Sequence, residues 1–370
     1  MTGAFRYPEG DAGAKRIASL SSILKRSYNV HVVHWGFGDG SDYSGTDELN
    51  VRKDGFFSKL IHRLFLGFSF FKSKRPRFST LSFIVLYNPP FMFGLTMLLL
   101  AKLYKVHVVL ESNEWYESEH LPGGRYGLAS IENLLRMRVL YPMFTNYIVM
   151  SDFMDDYYGR FGKNIIKIPP IARSQIKINK TSTNSNELVL LYAGSPGHKD
   201  RIDIILRSFI SLSQENQSKV KIIFIGFTYA DLLNSYPEFE KINCINDRVF
   251  FQGRQAEKHV IRTYASVDYV IFFRDAKRYA LAGFPSKFVE ALENNTPVIT
   301  NPIGDIKKYL CKVGIPFDPL TDDFNELIDI AEAKKRTFSF PISDLIQSEF
   351  SFDIAADKLL VFFEAINENL

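Results

Sequence analysis

Residues 174–186 read SQIKINKTSTNSN, and this polar run divides the sequence into two halves that share one pattern. Its Ser, Thr, Asn and Lys side chains cannot bury a core, which is typical of a linker between domains. On both sides of the run, short apolar segments alternate with helical patterns. The strand-like segments are residues 29–33, 81–87, 107–110 and 147–150 before it, and 187–192, 219–225, 249–251, 269–273 and 297–300 after it.

This alternation predicts a parallel sheet in each half, because consecutive parallel strands are joined by right-handed helical crossovers. We therefore expect an α/β protein with two Rossmann-like domains, residues 1–173 and 187–352, joined by the linker at 174–186. Residues 353–370 form a last helix with one apolar face, which could pack on either domain, including back on the N-terminal one.

Length and composition fit two domains. The chain has 370 residues, of which 46% are hydrophobic, enough for two packed cores. Its net charge of +4 is too small to predict nucleic-acid binding. Cys244 and Cys311 lack the spacing of a zinc or redox site, as is ordinary in a reducing compartment. No signal peptide is visible, and the longest apolar run, Phe91 to Leu103, is shorter than the roughly 20 residues of a spanning helix. We expect a cytoplasmic protein.

The most informative segment for function is GFPSKFVEALENN, residues 283–295. Ser286 is a candidate N-cap, and the backbone amides at the start of the helix, beside Lys287, would favour a phosphate group. One turn further, Glu290 could accept hydrogen bonds from the two hydroxyls of a ribose. A nucleoside diphosphate could bind at both places, with its phosphates at the start of the helix and its ribose at Glu290. From spacing alone, an ordinary helix cap and a solvated glutamate remain the alternative.

A second segment, LYAGSPGHKDR at residues 191–201, carries a strand into a glycine turn and then a helix. Gly194 allows close approach of the backbone to a ligand, at the sheet edge where α/β proteins bind ligands. Lys199 could neutralise a diphosphate leaving group there, with an ordinary surface lysine as the alternative. A third segment adds a strand and a Gln-Gly-Arg turn at residues 252–254, which could place an arginine against a base or a phosphate.

In this order and spacing, the three segments resemble glycosyltransferase family 4, the retaining GT-B enzymes that elongate cell-surface polysaccharides and lipid-linked oligosaccharides. The resemblance covers most of the chain and implies two domains that face each other across a cleft. The family's glycine turn with a lysine matches Gly194 and Lys199, and the second of its two motif glutamates matches Glu290. The first motif glutamate falls on Ala282, and Ser195 stands where an arginine commonly follows the glycine turn.

The N-terminal half resembles the acceptor domain of the same family. The likeness rests on a turn at Gly10 and Asp11, on VVLESNEWYESEHLP, and on YIVMSDFMDDYY before IKIPPI. Glu111 and Glu114 follow a strand at its C-terminal edge, where a carboxylate could orient an acceptor hydroxyl.

The resemblance also implies the site residues. Arg274 and Arg278 could supply the charge of the absent arginine, although either could be a surface residue. The expected catalytic residues are Lys199, Glu114 and Arg278; the expected donor-binding residues are Gly194, Ser195, Lys199, Gly253, Arg254, Arg274, Ser286, Lys287 and Glu290; and the expected acceptor-side residues are Gly10, Asp11, Glu111 and Glu114.

The reaction implied is transfer of a sugar from a UDP or GDP donor to a glycan or a lipid-linked acceptor, with retention and with no metal or cofactor. No D-x-D triplet occurs, so Lys199, arginines and the helix that begins near Ser286 would hold the diphosphate. Departure of the nucleoside diphosphate would leave an oxocarbenium-like sugar. The acceptor hydroxyl would attack it from the same face, with the leaving phosphate as proton acceptor.

Residues 52–78, RKDGFFSKLIHRLFLGFSFFKSKRPRF, mix Lys and Arg with Phe. That composition suits a segment lying on an anionic membrane surface, which would make the protein peripheral on the inner face of the membrane. The alternative is a helix packed in the N-terminal domain with a basic outer face.

Two other functions stay open. Ala282 and Ser195 allow a nucleotide-sugar-binding scaffold without turnover inside a polysaccharide-assembly complex. A sugar-nucleotide epimerase on the same fold would add acid and base groups, against which the few histidines argue. No compact G-x-G-x-x-G follows a strand, so a nicotinamide-dependent oxidoreductase is disfavoured.

Overall fold

The computed structural model divides the chain into two compact units. Unit 1 comprises residues 1–171, 281–284 and 351–370, and unit 2 comprises residues 172–280 and 285–350. The structure describes residues 1–5, 7, 12–34, 46–48, 66–72, 78, 80–173, 187–240, 248–337 and 340–368.

Short strands and helices alternate along both units. The strands are β1 Thr2–Gly3, β2 Val32–His34, β3 Thr46–Glu48, β4 Phe83–Tyr87, β5 His107–Ser112, β6 Asn146–Val149, β7 Asn164–Lys167, β8 Leu188–Ala193, β9 Val220–Ile225, β10 Val249–Phe251, β11 Tyr269–Ile271, β12 Val298–Thr300 and β13 Gly314–Pro316. The helices are α1 Ala12–Leu24, α2 at residues 66–72, α3 Phe91–Tyr104, α4 Leu128–Leu135, α5 Asp152–Gly159, α6 Ile202–Ile210, α7 Gln214–Lys219, α8 Tyr229–Ser235, α9 Glu257–Ser266, α10 Arg278–Ala282, α11 Ser286–Glu293, α12 Leu310–Val313, α13 Phe324–Thr337, α14 Ile342–Leu345 and α15 Phe352–Asn367.

Unit 1 is built on a seven-stranded parallel sheet in the order β3-β2-β1-β4-β5-β6-β7. Its central strands read FIVLY and HVVLES, near-continuous apolar runs that suit a sheet covered by helices on both faces. On one face, α1 and the C-terminal helix α15 share a core through Leu20, Leu359 and Phe363. The end of the chain therefore completes unit 1.

The other face of this sheet is covered by α3, by α5 and by the turns that follow α4. Phe93 and Met97 of α3 are fully buried there beside Leu140 and Tyr147. A π-helical turn, Arg136–Leu140, and a 3-10 turn, Tyr141–Met143, continue α4 toward β6.

Unit 2 has a six-stranded parallel sheet in the order β10-β9-β8-β11-β12-β13. The chain order reverses between β8 and β11, which lie side by side in the middle of the sheet. Ligands of open α/β sheets bind beyond the carboxyl ends of the strands at such a reversal. The topology thus marks the ends of β8 and β11 as the place to look for a site.

The predicted fold class, two α/β units with parallel sheets, is confirmed. The predicted crossover helix at Phe91 corresponds to α3. Among the described residues, no helix combines the length and apolar character needed to cross a membrane.

Candidate functional site

Three glycine turns lie side by side where β8, β9 and β10 end. The amide of Gly194 donates to the carbonyl of Ile225 at 2.8 Å, and the amide of Gly226 donates to the carbonyl of Gly253 at 2.8 Å. Gly253, in the left-handed region at φ +64°, donates in turn to the carbonyl of Phe227 at 3.0 Å. These bonds fix the edge of the sheet where a ligand would bind.

Other atoms closely approach two of these glycines, and at Gly226 the nearest is a backbone oxygen that cannot move aside, so that position requires glycine. A Cβ on Gly226, which has φ +113°, would lie 2.2 Å from the carbonyl oxygen of Gly194. A Cβ on Gly194 would lie 2.5 Å from Cε and 2.6 Å from Nζ of Lys287. The lysine of α11 therefore passes directly over the end of β8.

Lys287 reaches a buried carboxylate. Its Nζ lies 2.6 Å from Oδ2 of Asp200, and Nε of Arg274 lies 2.7 Å from Oδ1 of the same aspartate. The side chains of Asp200, Arg274 and Lys287 are only 7%, 10% and 15% exposed. We call these three residues the buried charge cluster. It joins the turn after β8, the loop after β11 and the first turn of α11.

Tyr192, at the end of β8, completes the surroundings of the cluster. Its hydroxyl donates to the carbonyl of Ser195 at 3.0 Å and lies 3.3 Å from Oδ2 of Asp200. Nζ of Lys287 stands 5.1 Å from the centre of its ring, within the range of a cation–π contact. Lys287 is thus held by the Asp200 carboxylate and by the ring of Tyr192.

The electrostatics keep the cluster ionised. Burial alone would raise the pKa of Asp200, but the charges of Lys287 and Arg274 outweigh it and hold the pKa well below its usual range. Burial would likewise lower the pKa of Lys287, but the Asp200 carboxylate holds it above its usual value. With two cations and one carboxylate, the cluster carries a net positive charge suited to a phosphate group.

Arg274 is also fixed through its backbone. Its amide donates to Oδ1 of Asn301 at 3.0 Å, and Nδ2 of Asn301 donates to the carbonyl of Arg274 at 2.7 Å. Asn301 directly follows β12, so a second strand end positions the arginine. Arg201, by contrast, is held in a two-point ion pair with Asp203 (2.9 and 2.7 Å) and also contacts Asp275.

The prediction that Ser286 caps α11 is wrong. Pro285 occupies the N-cap position with an extended backbone (φ −68°, ψ 112°), and no side chain caps the helix. Ser286 is instead the first helical residue, because proline is readily accommodated just before a helix begins. The start of α11 therefore presents backbone amides next to Lys287.

Glu290 lies one turn further along α11. Oε2 of Glu290 is 3.4 Å from the hydroxyl of Tyr264, and its carbonyl accepts a bond from Nδ2 of Asn294 at 2.8 Å. Tyr264 is 2% exposed, and burial, reinforced by the nearby Glu290 charge, raises its pKa well above the usual range. The tyrosine therefore stays protonated and can only donate to this carboxylate.

The other predicted donor residues lie around this edge. Lys199 is half-buried beside Asp200, and its carbonyl accepts a bond from the hydroxyl of Tyr279 at 3.1 Å. Ser195 and Arg254 are exposed, in the turns after β8 and β10. Arg278 is the first residue of α10.

Ala282, at the position of the first motif glutamate, belongs to unit 1. It is fully buried in the apolar core of that unit, and its carbonyl accepts a bond from the hydroxyl of Ser151 at 2.8 Å. A glutamate here would carry its carboxylate into an apolar core, which is costly for an unpaired charge. The alanine is therefore explained by packing.

On the acceptor side, Glu111 ends β5 fully buried, and its Oε1 lies 2.9 Å from Nε of Arg16. The same guanidinium donates to the carbonyls of Ile168 and Pro169 at 2.8 and 2.7 Å. Burial, only partly offset by Arg16, raises the pKa of Glu111. This pair holds α1 against the sheet of unit 1.

The remaining acceptor-side predictions are partly outside the described residues. Glu114 accepts a hydrogen bond from the hydroxyl of Tyr116. Gly10 and Asp11 lie outside the described part of the chain, as do Cys244, the linker 174–186 and most of 52–78. Among the residues that the structure describes, no three His, Cys, Asp or Glu side chains are grouped as metal ligands would be.

Sequence reasoning missed Asp200, Tyr192 and Asn301. Asp200 stands in the quoted LYAGSPGHKDR segment, directly after Lys199, and Asn301 follows the last predicted strand. The available signal was charge balance: the predicted donor site held several cations but only one carboxylate, Glu290, and a buried cation needs a counter-charge.

Known proteins are similar to this chain in one domain and in fold. Residues 174–335 match the model of the family described as "Glycosyl transferases group 1". No curated protein matches the chain by sequence. Among solved structures, the sucrose-phosphate synthase of Thermosynechococcus elongatus is similar at TM-score 0.74 and 14% identity, covering 100% of this chain and 98% of that one. HepE of Anabaena in complex with UDP-glucose is similar at TM-score 0.70 and 13% identity, covering 98% of this chain and 99% of that one. WaaG, a glycosyltransferase involved in lipopolysaccharide biosynthesis, gives 0.67 and 12%, covering 98% of both chains.

The structural likeness shows the GT-B fold, and the family match shows a glycosyltransferase domain that coincides with most of unit 2. The class of protein is therefore defined: it is a glycosyltransferase of the GT-B fold. The group 1 domain contains the buried charge cluster and Glu290, and it is consistent with the resemblance to family 4.

Proposed function

We propose that this glycosyltransferase transfers a sugar from a UDP-sugar to a glycan or a lipid-linked acceptor in the cytoplasm, with retention and without a metal. The observation that carries the donor half of the proposal is the buried charge cluster beside the start of α11. The choice of UDP is supported by structures of the similar HepE, which contain UDP and UDP-glucose.

The diphosphate would lie over the ends of β8 and β11. Lys287 and Arg274 would offer positive charge, and the uncapped amides of α11 would add donors for phosphate oxygens. Because Asp200 already fixes both cations, little reorganisation accompanies binding, which is the arrangement that stabilises developing charge most effectively. These cations would take the part that a metal ion plays in other nucleotide sites.

Glu290 would bind the ribose through its two hydroxyls. Its carboxylate accepts from the weakly bound Tyr264 hydroxyl, at 3.4 Å, and has capacity for further donors. It lies one turn after Lys287 on the same helix, so one helix would contact both the phosphates and the sugar of the nucleotide.

The chemical step would follow from this charge distribution. As the bond between the anomeric carbon and the phosphate oxygen breaks, negative charge would grow on the leaving diphosphate, and Lys199, Lys287 and Arg274 would stabilise it. The acceptor hydroxyl would form the new bond to the anomeric carbon from the same face and pass its proton to the leaving phosphate. Retention would be the stereochemical result.

The proposed acceptor is defined as a class of compound, a glycan or a lipid-linked glycan. Two similar structures are WaaB, a lipopolysaccharide outer core galactosyltransferase, and WaaG, a glycosyltransferase involved in lipopolysaccharide biosynthesis, which favours a glycan on a lipid. The basic and Phe-rich segment 52–78 would bring the enzyme to such an acceptor.

The test is a panel of UDP-, GDP- and dTDP-sugars, titrated by calorimetry and then incubated with candidate acceptors in the presence of EDTA. We expect one UDP-sugar to bind, Glu290→Ala to weaken it, and NMR of the product to show the donor's anomeric configuration. Donor binding without transfer or hydrolysis would favour the scaffold function instead, and loss of activity in EDTA would contradict the metal-free mechanism.

A further inference from the structure

The helix that begins with α4 turns its apolar side outward. Residues 128–143 bury the polar side chains of Ser130 and Asn133 on the inside of the helix. The exposed side instead carries Leu128 (65% exposed), Ile131 (47%), Leu134 (54%), Leu135 (41%), Val139 (50%) and Met143 (54%). A surface helix of a globular protein ordinarily shows the reverse pattern.

Specific hydrogen bonds hold the helix in this orientation. Nδ2 of Asn133 donates to the carbonyl of Tyr116 at 3.0 Å, and the hydroxyl of Ser130 donates to the carbonyl of Gly124 at 2.5 Å. Met137, further along the inner side, is fully buried in the core of unit 1. Rotating the helix to hide its leucines would break all of these contacts.

Helix α3 extends the exposed apolar surface. The amide of Phe91, at the start of α3, donates to Oε1 of Glu132 in α4 at 2.9 Å, so the two helices lie side by side. On its exposed side α3 carries Leu99 (64% exposed) and Leu103 (73%). We call the exposed apolar side chains of residues 128–143 together with Leu99 and Leu103 the outer apolar face. Scattered exposed apolar residues are ordinary, but so many on two helices that contact each other mark an interaction surface.

Exposed cations predominate around this face, whose acids are the exposed Glu119 and the half-buried Glu117 and Glu132. Lys102 and Lys105 are exposed at the end of α3, Arg125 is exposed in the 3-10 turn before α4, and Arg138 is exposed in the π-helical turn after it. Helix α3 has no acidic residue, and the single acid of residues 125–143, Glu132, already accepts the Phe91 amide.

We propose that the outer apolar face is a membrane-docking surface that lies flat on an anionic lipid bilayer. Apolar side chains between basic ones are the composition of an interfacial helix, whose leucines enter the acyl boundary while its cations meet lipid phosphates. The helices lie along the surface of unit 1 and are too short to span the bilayer. Charge complementarity selects this occupant, because each exposed cation attracts an anionic leaflet.

This surface is distinct from residues 52–78, for which membrane contact was expected from sequence. Helix α2 packs against α3, since a Cβ on its Gly67 would lie 2.7 Å from Cβ of Thr96. The inference concerns a surface of unit 1 and does not depend on the proposed donor chemistry.

The test is flotation of the full-length protein with vesicles of phosphatidylcholine alone or with about 30% phosphatidylglycerol, at low salt. The wild type is expected to float with the anionic vesicles, and salt should reduce binding by screening. Leu128→Ser with Leu134→Ser should weaken partition at least about tenfold, because two exposed leucines no longer enter the bilayer. Arg125→Gln with Arg138→Gln should weaken it about fivefold for each cation lost.

The matched control is Leu320→Ser with Val361→Ser, which removes two apolar side chains of similar exposure (89% and 64%) elsewhere. The control should float like the wild type, and circular dichroism checks that each variant is folded. Absence of wild-type binding to anionic vesicles, or equal loss in the control, would overturn the proposal. So would a wild-type dimer in light scattering that the Leu128 and Leu134 variant converts to monomer, since the face would then join two copies. If the serine variant fails to fold, the arginine variant decides.

Discussion

Replacing Asp200 with asparagine should destabilise the protein substantially, because it leaves two buried cations without their carboxylate. The side chains of Lys287 and Arg274 are 15% and 10% exposed, so water compensates little for the lost ion pairs. Removing one partner of a buried ion pair costs about 3–5 kcal/mol. We expect the lower end, about 3 kcal/mol, because the asparagine oxygen can still accept one hydrogen bond. Urea unfolding followed by circular dichroism measures the change.

The matched control is Asp275→Asn, which also removes an aspartate paired with an arginine. That pair is 30% and 32% exposed, so about 1 kcal/mol or less should be lost. The wild type should also lose stability in acid: because the pKa of Asp200 is depressed, its contribution is complete above the ordinary value of about 3.9 and is lost as the pH falls toward the folded-state pKa. Asp200→Asn should lack this part of the acid-side loss. A loss no larger than that of Asp275→Asn, or an unchanged acid profile, would refute the reasoning.

Three other variants test neighbouring features. Gly194→Ala should weaken UDP binding about tenfold in calorimetry, since its Cβ would displace the cluster's lysine, whereas Gly197→Ala meets no atom within 4 Å and should bind normally. Arg16→Met should lower the free energy of unfolding by about 3 kcal/mol because it leaves a buried carboxylate unpaired. Arg26→Met, which removes an exposed pair at 3.5 Å, should leave urea unfolding nearly unchanged, and equal effects of the two would contradict the account. Ala282→Glu should lower the melting temperature without raising transfer activity; a gain in activity would show that the position faces the donor after all.

The fold was predictable because its signals are local. Each strand is a short apolar run, and each helix has its own pattern, so the alternation could be read segment by segment along the chain. The return of residues 281–284 to unit 1 was not predictable in this way. It depends on contacts such as that between Ala282 and Ser151, which stand 131 positions apart.

In the candidate site, too, some residues were predictable from sequence, and those that depend on long-range contacts were not. Lys287 was predicted as a donor residue within the segment 283–295 and Arg274 as a substitute for the absent arginine, and the structure brings both to one carboxylate. That carboxylate, Asp200, lies 87 and 74 positions from them, and no local pattern distinguishes it from a solvated aspartate. The predicted N-cap, Ser286, lies one residue after the observed N-cap, Pro285. Helix ends are the least certain feature of a sequence-based assignment.

The outer apolar face shows a further limit of pattern reading. Residues 128–143 have apolar residues at helical spacing, which ordinarily indicates a side turned to the core. The structure turns that side outward because Asn133 and Ser130 find their partners inside. Periodicity reports that a helix has two sides, and tertiary hydrogen bonds decide which of them is buried.

The central claim is that the buried charge cluster binds the diphosphate of a nucleotide donor. The most direct test compares the affinities of UDP and uridine by calorimetry for the wild type and for Lys287→Met. We expect the wild type to bind UDP more tightly than uridine, and Lys287→Met to weaken UDP at least about tenfold while leaving uridine nearly unchanged, since a charge-assisted contact to phosphate is lost. Equal UDP affinity in the two proteins would contradict the claim and place the diphosphate elsewhere.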